Sequence, residues 1–316
     1  MRWWGRGNPD RAGRGPGEAV DPVFGYLTAA QGERLRILTQ RAFAEAGVEV
    51  VPCGDHLRAD NGRQFGLSNL AAWCHAAGSE KAWPDLAMRH VQGVLAAGEE
   101  ASRIDGLDRD DALRRIFVRL MGTAEFEDSR QWFGYAREWG GGDLLELLVV
   151  NFPESLLVLP DEQVERLGLE DMRAAGLHNL RHEPVDSHEI LNEPHGVRLH
   201  IALGESPYVA SKLLVLPDLL DQFLGDREYP HGLLVATPFR HQLAFWPIEK
   251  RQVLSATLSM AGLAAHGFDR GVGAVSPCVY WWRDGHLTRV TFPDGEGKIG
   301  IDGTGDFGDL LDQLDG

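Results

Sequence analysis

The sequence predicts an α+β protein of mixed α/β character: two subdomains, each a small, mostly antiparallel sheet with helices packed on it. Three observations predict this. Short apolar runs of strand length alternate with turn signals. Two hairpin dipeptides, Asn61-Gly62 and Asp284-Gly285, lie between such runs and supply the positive φ values that tight turns need. Longer stretches between them carry helix start and stop signals.

The elements follow in chain order. Residues 1–21 are rich in Gly, Arg and Pro and read as a disordered basic tail, in which Trp3 and Trp4 offer a docking handle. Thr28 and Gln31 form a capping-box pattern that opens a helix through about Ala46, with Leu35, Ile37, Leu38, Ala42 and Phe43 as its apolar face and Gly47 as its stop. The segments VEVVPCG, DHLRAD and RQFGLSN read as short strands turned at Cys53-Gly54-Asp55 and at Asn61-Gly62. Two helices follow, Asn69 to Ala77 and Pro84 to Ala97, the second opened by a first-turn proline. Residues 98–112 are charged and read as loop, and Ile116 to Met121 as a strand.

The polar and aromatic stretch ending in Gly140-Gly141-Gly142 marks a seam at residues 122–142, dividing an N-terminal subdomain (22–125) from a C-terminal one (126–293). The run DLLELLVVNF suits a strand buried on both faces, and SLLVLP follows it. Asp161 caps a helix, and a second spans Glu170 to Leu180. Residues 183–196 read as loop. VRLHIAL and YVASKLLVLP read as strands about the turn Gly204-Glu205-Ser206-Pro207. Then come a short helix (Asp218–Leu224), the strand GLLVATP, a helix (Val253–His266), and the pair VYWW and LTRVTF. Residues 294–316 read as an acidic, glycine-rich tail with a marginal helix at Asp309 to Leu314.

The ordered series GGDLLELLVVNFPESLLVLPDEQVERLGL, DMRAAGLHNL, YVASKLLVLPDLLDQFLG, GLLVATPFRHQLAFWP and VYWWRDGHLTRV resembles the YtpQ-like family of uncharacterised bacterial proteins. The resemblance covers about residues 140–290. It implies a soluble α/β protein and brings no catalytic residue or cofactor.

Composition narrows the function. The chain has 316 residues, 43% hydrophobic and 25% charged, as ordinary globular proteins do. No apolar run is long enough to span a bilayer, and no apolar segment follows Arg2 and Arg6 as a signal peptide requires. Three cysteines, Cys53, Cys74 and Cys278, fit a reduced, cytoplasmic protein. A formal net charge of −16 argues against nucleic-acid binding, which needs Lys and Arg on phosphates, and suits a protein partner with a basic surface.

Candidate chemistry is sparse. His178 and His182 sit four apart on a helix and share a face, so they can chelate a metal, with Glu183 and Asp186 as nearest oxygen donors. The zincin pattern would place Glu where Asn179 stands. Cys53 with His56, and Cys74 with His75, lack the Cys-x-x-Cys spacing of a zinc site, and burial as small hydrophobes is the simpler reading. Ser206 and Ser211 lack nucleophile-elbow spacing, and Ser211 and Lys212, as strand neighbours, would point to opposite faces. Gly140-Gly141-Gly142 precedes a strand, so it offers no helix N-terminus to a phosphate. The Asp302 to Asp309 run lacks a calcium loop's register.

The residues that remain for a binding surface are Trp73, Trp282, Arg240 and His241. In a strand, one of Trp281 and Trp282 faces the core and the other faces away. Arg240 and His241 follow a strand end, where α/β clefts form. These observations predict a cytosolic, non-catalytic interaction or regulatory protein of adaptor or immunity type, with no cofactor. The alternatives are a hydrolase built on His178, His182, Arg240 and His241, or a metal-stabilised domain.

Overall fold

The computed structural model describes residues 19–60, 62–101, 104–127, 129–152, 155–249, 252–293 and 299–315. The fold is α+β, and among these residues every strand pairing is antiparallel. The chain divides into two compact units, Met1–Ala96 and Ala97–Gly316.

In the first unit, α1 (Ala29–Glu45) starts as its sequence dictates. Thr28 Oγ1 accepts from Gln31 N, and Gln31 Oε1 accepts from Thr28 N, completing the capping box. Strands β1 (Val50–Cys53), β2 (His56–Ala59) and β3 (Gln64–Gly66) form a three-stranded meander. Helices α2 (Ser68–Ala76) and α3 (Trp83–Ala101) complete the unit. Its core gathers Leu35, Phe43, Leu57, Phe65, Leu70 and Trp83. Asp21, assigned to the tail by composition, is buried instead. Its carboxylate accepts from Val23 N, Phe24 N and both Arg36 Nη groups, which pull its pKa down to about 2. Trp3 and Trp4 lie outside the described residues.

The second unit begins with a correction. The 98–112 stretch, expected to be loop, contains helix: α3 runs on to Ala101, and α4 (Arg109–Arg115) is capped by Asp108, whose side chain accepts from Asp111 N. Strand β4 (Ile116–Gly122) then pairs along its full length with β6 (Leu144–Asn151), crossing the stretch expected to be a seam. The boundary therefore falls at Ala96/Ala97. Strands β5 (Arg137–Trp139) and β7 (Leu156–Val158) share the other edge of β6, which is buried along its length up to Val150. Helix α5 (Asp161–Leu167) starts after Pro160, and the Asp161 carboxylate accepts from Gly134 N and Tyr135 N rather than capping the helix. Helix α6 (Leu169–His182) lies on β4, with Gly176 against the β4 backbone.

Strands β8 (Ser187–Asn192), β9 (Arg198–Leu203), β10 (Leu233–Ala236), β11 (Gln242–Pro247), β12 (Val279–Arg283) and β13 (His286–Arg289) form a six-stranded sheet in the order β13-β12-β10-β11-β9-β8. The 183–196 stretch thus contains a strand; it sits at an edge, where polar side chains remain solvated. YVASKLLVLP is not a strand. It forms a 3₁₀ turn, Ala210–Val215, that runs into α7 (Leu216–Leu224).

Both faces of this sheet are covered. Alternation sends Leu234, Ala236, Ala244, Trp246, Val279 and Trp281 to one face, under α8 (Val253–Arg270). It sends Leu233, Val235, Leu243, Phe245 and Tyr280 to the other, under the 3₁₀ turn and α7. Within the expected C-terminal tail, residues 299–315 are structured: β14 (Thr291–Pro293) pairs with β15 (Ile299–Ile301), and α9 (Gly305–Asp315) buries Phe307 and Leu310 in the α8-side core, with Phe307 beside Trp281. The helical spacing of Phe307, Leu310, Leu311 and Leu314 explains it. Asp302, from the calcium-like run, accepts from Thr304 N and Oγ1 just before α9.

Candidate functional site

One group of polar side chains in the second unit is built on the turn between β10 and β11. Arg240 is clamped there by its own backbone: its N donates to Gly273 O at 2.9 Å and its O accepts from Ala210 N at 3.1 Å. Its side chain is steered by the next residue, because Arg240 Nε donates to His241 Nε2 at 2.8 Å. A guanidinium can only donate, so Nε2 is the acceptor and the proton of His241 sits on Nδ1. Nδ1–H then points at Gly204 O and Ser206 O, each at 3.1 Å. Burial, followed by the adjacent Arg240 charge, pushes the His241 pKa down. His241 is therefore a neutral, doubly engaged ring that aims an arginine.

A second arginine approaches from β4. Arg119 is buried at 9% exposure, and its Nε has no hydrogen-bond partner. The segment Tyr208–Ser211 ties the two arginines to one place. Ser211 Oγ accepts from Leu120 N at 2.9 Å, while Ala210 N holds Arg240 O. Tyr208 stacks on Phe117, two residues along β4 from Arg119, with ring centroids 4.3 Å apart. Its hydroxyl is buried and unpartnered. Arg119, Arg240 and Glu125 lie close enough to act on one another's charge. Desolvation, then Arg119, lowers the Arg240 pKa to about 10. Crowding raises the Glu125 pKa while both arginines lower it, and because Glu125 is exposed over much of its surface, solvent tempers these effects. Among the described residues neither Arg119 nor Arg240 forms an ion pair or a hydrogen bond to a carboxylate. Thr237 Oγ1 and Gln242 Nε2, on the same hairpin, are also buried and unpartnered.

The other sequence candidates have different surroundings. His178 and His182 are exposed on α6 with rings 4.5 Å apart, and His182 Nδ1 bonds His178 O. Among the described residues no three His, Cys, Asp or Glu side chains gather as a metal site requires. Among the described residues no hydrogen bond or ring contact joins His178 or His182 to Arg240 or His241, so the expected four-residue constellation is split. Asn179, in the zincin Glu position, donates to Leu113 O and Ile116 O and closes the end of α4. Ser211 and Lys212 are both buried, and Lys212 Nζ donates to Leu180 O and Arg181 O at the end of α6.

Trp281 is core and donates to His231 O, whereas Trp282 is half-buried against the opposite cluster. Trp73 lies in the first unit, 36% exposed and edge-on to His90, so it belongs to a different unit from Arg240. Burial raises the Cys74 thiol to about 12 and also pushes Cys278 up, as small buried hydrophobes require.

Sequence reasoning missed Arg119, Glu125 and Tyr208. The available signal was an arginine inside the apolar strand IFVRLMG. Comparisons with protein-family models, curated proteins and solved structures find no match for this chain.

Proposed function

We propose that this chain is a cytoplasmic, non-catalytic recognition or regulatory protein of adaptor or immunity type, whose partner is a protein with a basic surface. The observation that supports it is the engagement of His241. A general base needs a free ring nitrogen within reach of a proton. One nitrogen of His241 is taken by Arg240 and the other by two carbonyls. Ser211 and Lys212 are likewise committed to backbone partners. The net charge of −16 favours steering toward a basic partner. Among the described residues no helix is long and apolar enough to cross a membrane. The resemblance to the YtpQ-like family is part of the same proposal and adds no residue role.

The test sets binding against turnover. A tagged full-length chain is expected to co-purify with a protein partner, and the complex, rebuilt from pure components, should weaken as salt rises. Hydrolysis of an ester, phosphoester or peptide substrate that His241→Asn abolishes at unchanged stability overturns the reading.

A further inference from the structure

We propose that Arg119, Arg240 and the hydroxyl of Tyr208 form a binding site for a phosphate group, either free phosphate or a small phosphate monoester. The geometry carries it. Buried charges are ordinarily paired, because an unpaired one forfeits hydration without compensation. Arg119 is buried with an unpartnered Nε, and it lies close enough to Arg240 for the two positive charges to oppose each other. Two of the unpartnered buried side-chain atoms among the described residues, Arg119 Nε and Tyr208 Oη, belong to the two elements bonded to the Arg240 turn or to each other. In a chain of net charge −16, two arginine head groups with no carboxylate partner among the described residues, beside an unpartnered hydroxyl, suit an incoming anion.

Donor count selects the kind of anion. Arg240 spends its Nε on His241 and keeps both Nη groups; Arg119 offers Nε; Tyr208 offers its hydroxyl. These donors come from three elements rather than one planar fork. They match the several oxygens of a tetrahedral phosphate better than the two of a carboxylate. The site is also preorganised, since the Arg240 backbone is bonded at both ends and its side chain is held by His241. Half-buried Arg240 and exposed Glu125 mark the approach from solvent. Glu125 is the acidic group acting on both arginines, and Glu183 acts on Tyr208. Glu125 competes with an incoming anion for the same charge.

Titration calorimetry of the full chain with inorganic phosphate, glycerol phosphate and acetate at matched ionic strength tests this. Saturable binding of phosphate or glycerol phosphate is expected, with acetate at least about tenfold weaker. The tighter of the two phosphates identifies the source. Arg240→Met should weaken binding at least about tenfold. Glu125→Gln should tighten it about three- to tenfold, a gain that a variant damaged in folding would not show. No phosphate binding up to about 20 mM, equal binding of acetate, or affinity unchanged in Arg240→Met at retained stability each overturns the proposal.

Discussion

His241 Nε2 lies 2.8 Å from Arg240 Nε, so a neutral histidine holds an arginine whose Nη groups remain unspent. Removing the ring leaves a crowded Nε–H without an acceptor and frees Gly204 O and Ser206 O. An unsatisfied buried donor costs about 1–3 kcal/mol. His241→Ala should therefore lower unfolding stability by about that amount, read by urea denaturation, with a further penalty for the space vacated.

How far sequence anticipates this site depends on the range of the interactions. The α1 start was legible because Thr28 and Gln31 answer each other within one turn. The β12–β13 hairpin was legible for the same reason, with Asp284 at positive φ beside Gly285. YVASKLLVLP misled because a continuous apolar run fits a buried strand and a buried helix equally well. The sequence reading assigns no strand at β11, and Ser187, Glu189 and Asn192 give β8 the polarity of a loop. Arg240 and His241 are legible in the sequence only as neighbours at a strand end. Their meeting with Arg119 and Tyr208 depends on contacts among β4, the 3₁₀ turn and the β10–β11 turn, and no local pattern encodes it.

The histidines of the second unit should make it acid-sensitive. His188 and His200 share a hydrogen bond of 2.9 Å and stack between Phe223 and Phe245. Burial, then the neighbouring His188, holds the His200 pKa at about 4, with Arg198 and Arg227 also lowering it and Glu249 opposing them. Burial lowers His188 as well. In the unfolded chain these rings titrate near 6.5, so between about 6.5 and 4 the unfolded state binds more protons and stability falls as pH falls. Discounted for partial exposure, the loss from His200 is about 1–2 kcal/mol. Urea midpoints measured across that range should decline, and His200→Phe should flatten the decline.

Glu146 and Arg173 form a buried ion pair at 2.9 Å, with side-chain exposures of 5% and 7%. Trp139 Nε1 donates to the second carboxylate oxygen, and an Arg173 Nη donates to Tyr135 O. Breaking such a pair strands a charge, whereas replacing both partners removes the desolvation cost together with the attraction. Glu146→Leu alone should cost about 3–5 kcal/mol, and the double replacement with Arg173→Leu distinctly less. A double-mutant cycle by chemical denaturation would measure the difference.

Gly176 sets how closely α6 approaches β4. A methyl group there would meet Val118 N at 2.9 Å and Phe117 C at 3.0 Å, both in the β4 backbone. Helix propensity alone favours alanine by about 1 kcal/mol. Backbone cannot swing aside as a flexible side chain can, and overpacking a tight contact costs about 1–3 kcal/mol. The steric term is the larger, so Gly176→Ala should destabilise the second unit despite the gain in helicity. Because α6 also carries Arg173 to Glu146, and Lys212 bonds its last carbonyls, a displaced helix should weaken both contacts. Thermal unfolding should show a lower midpoint for Gly176→Ala; an increase would mean that β4 and α6 are packed more loosely than these distances state.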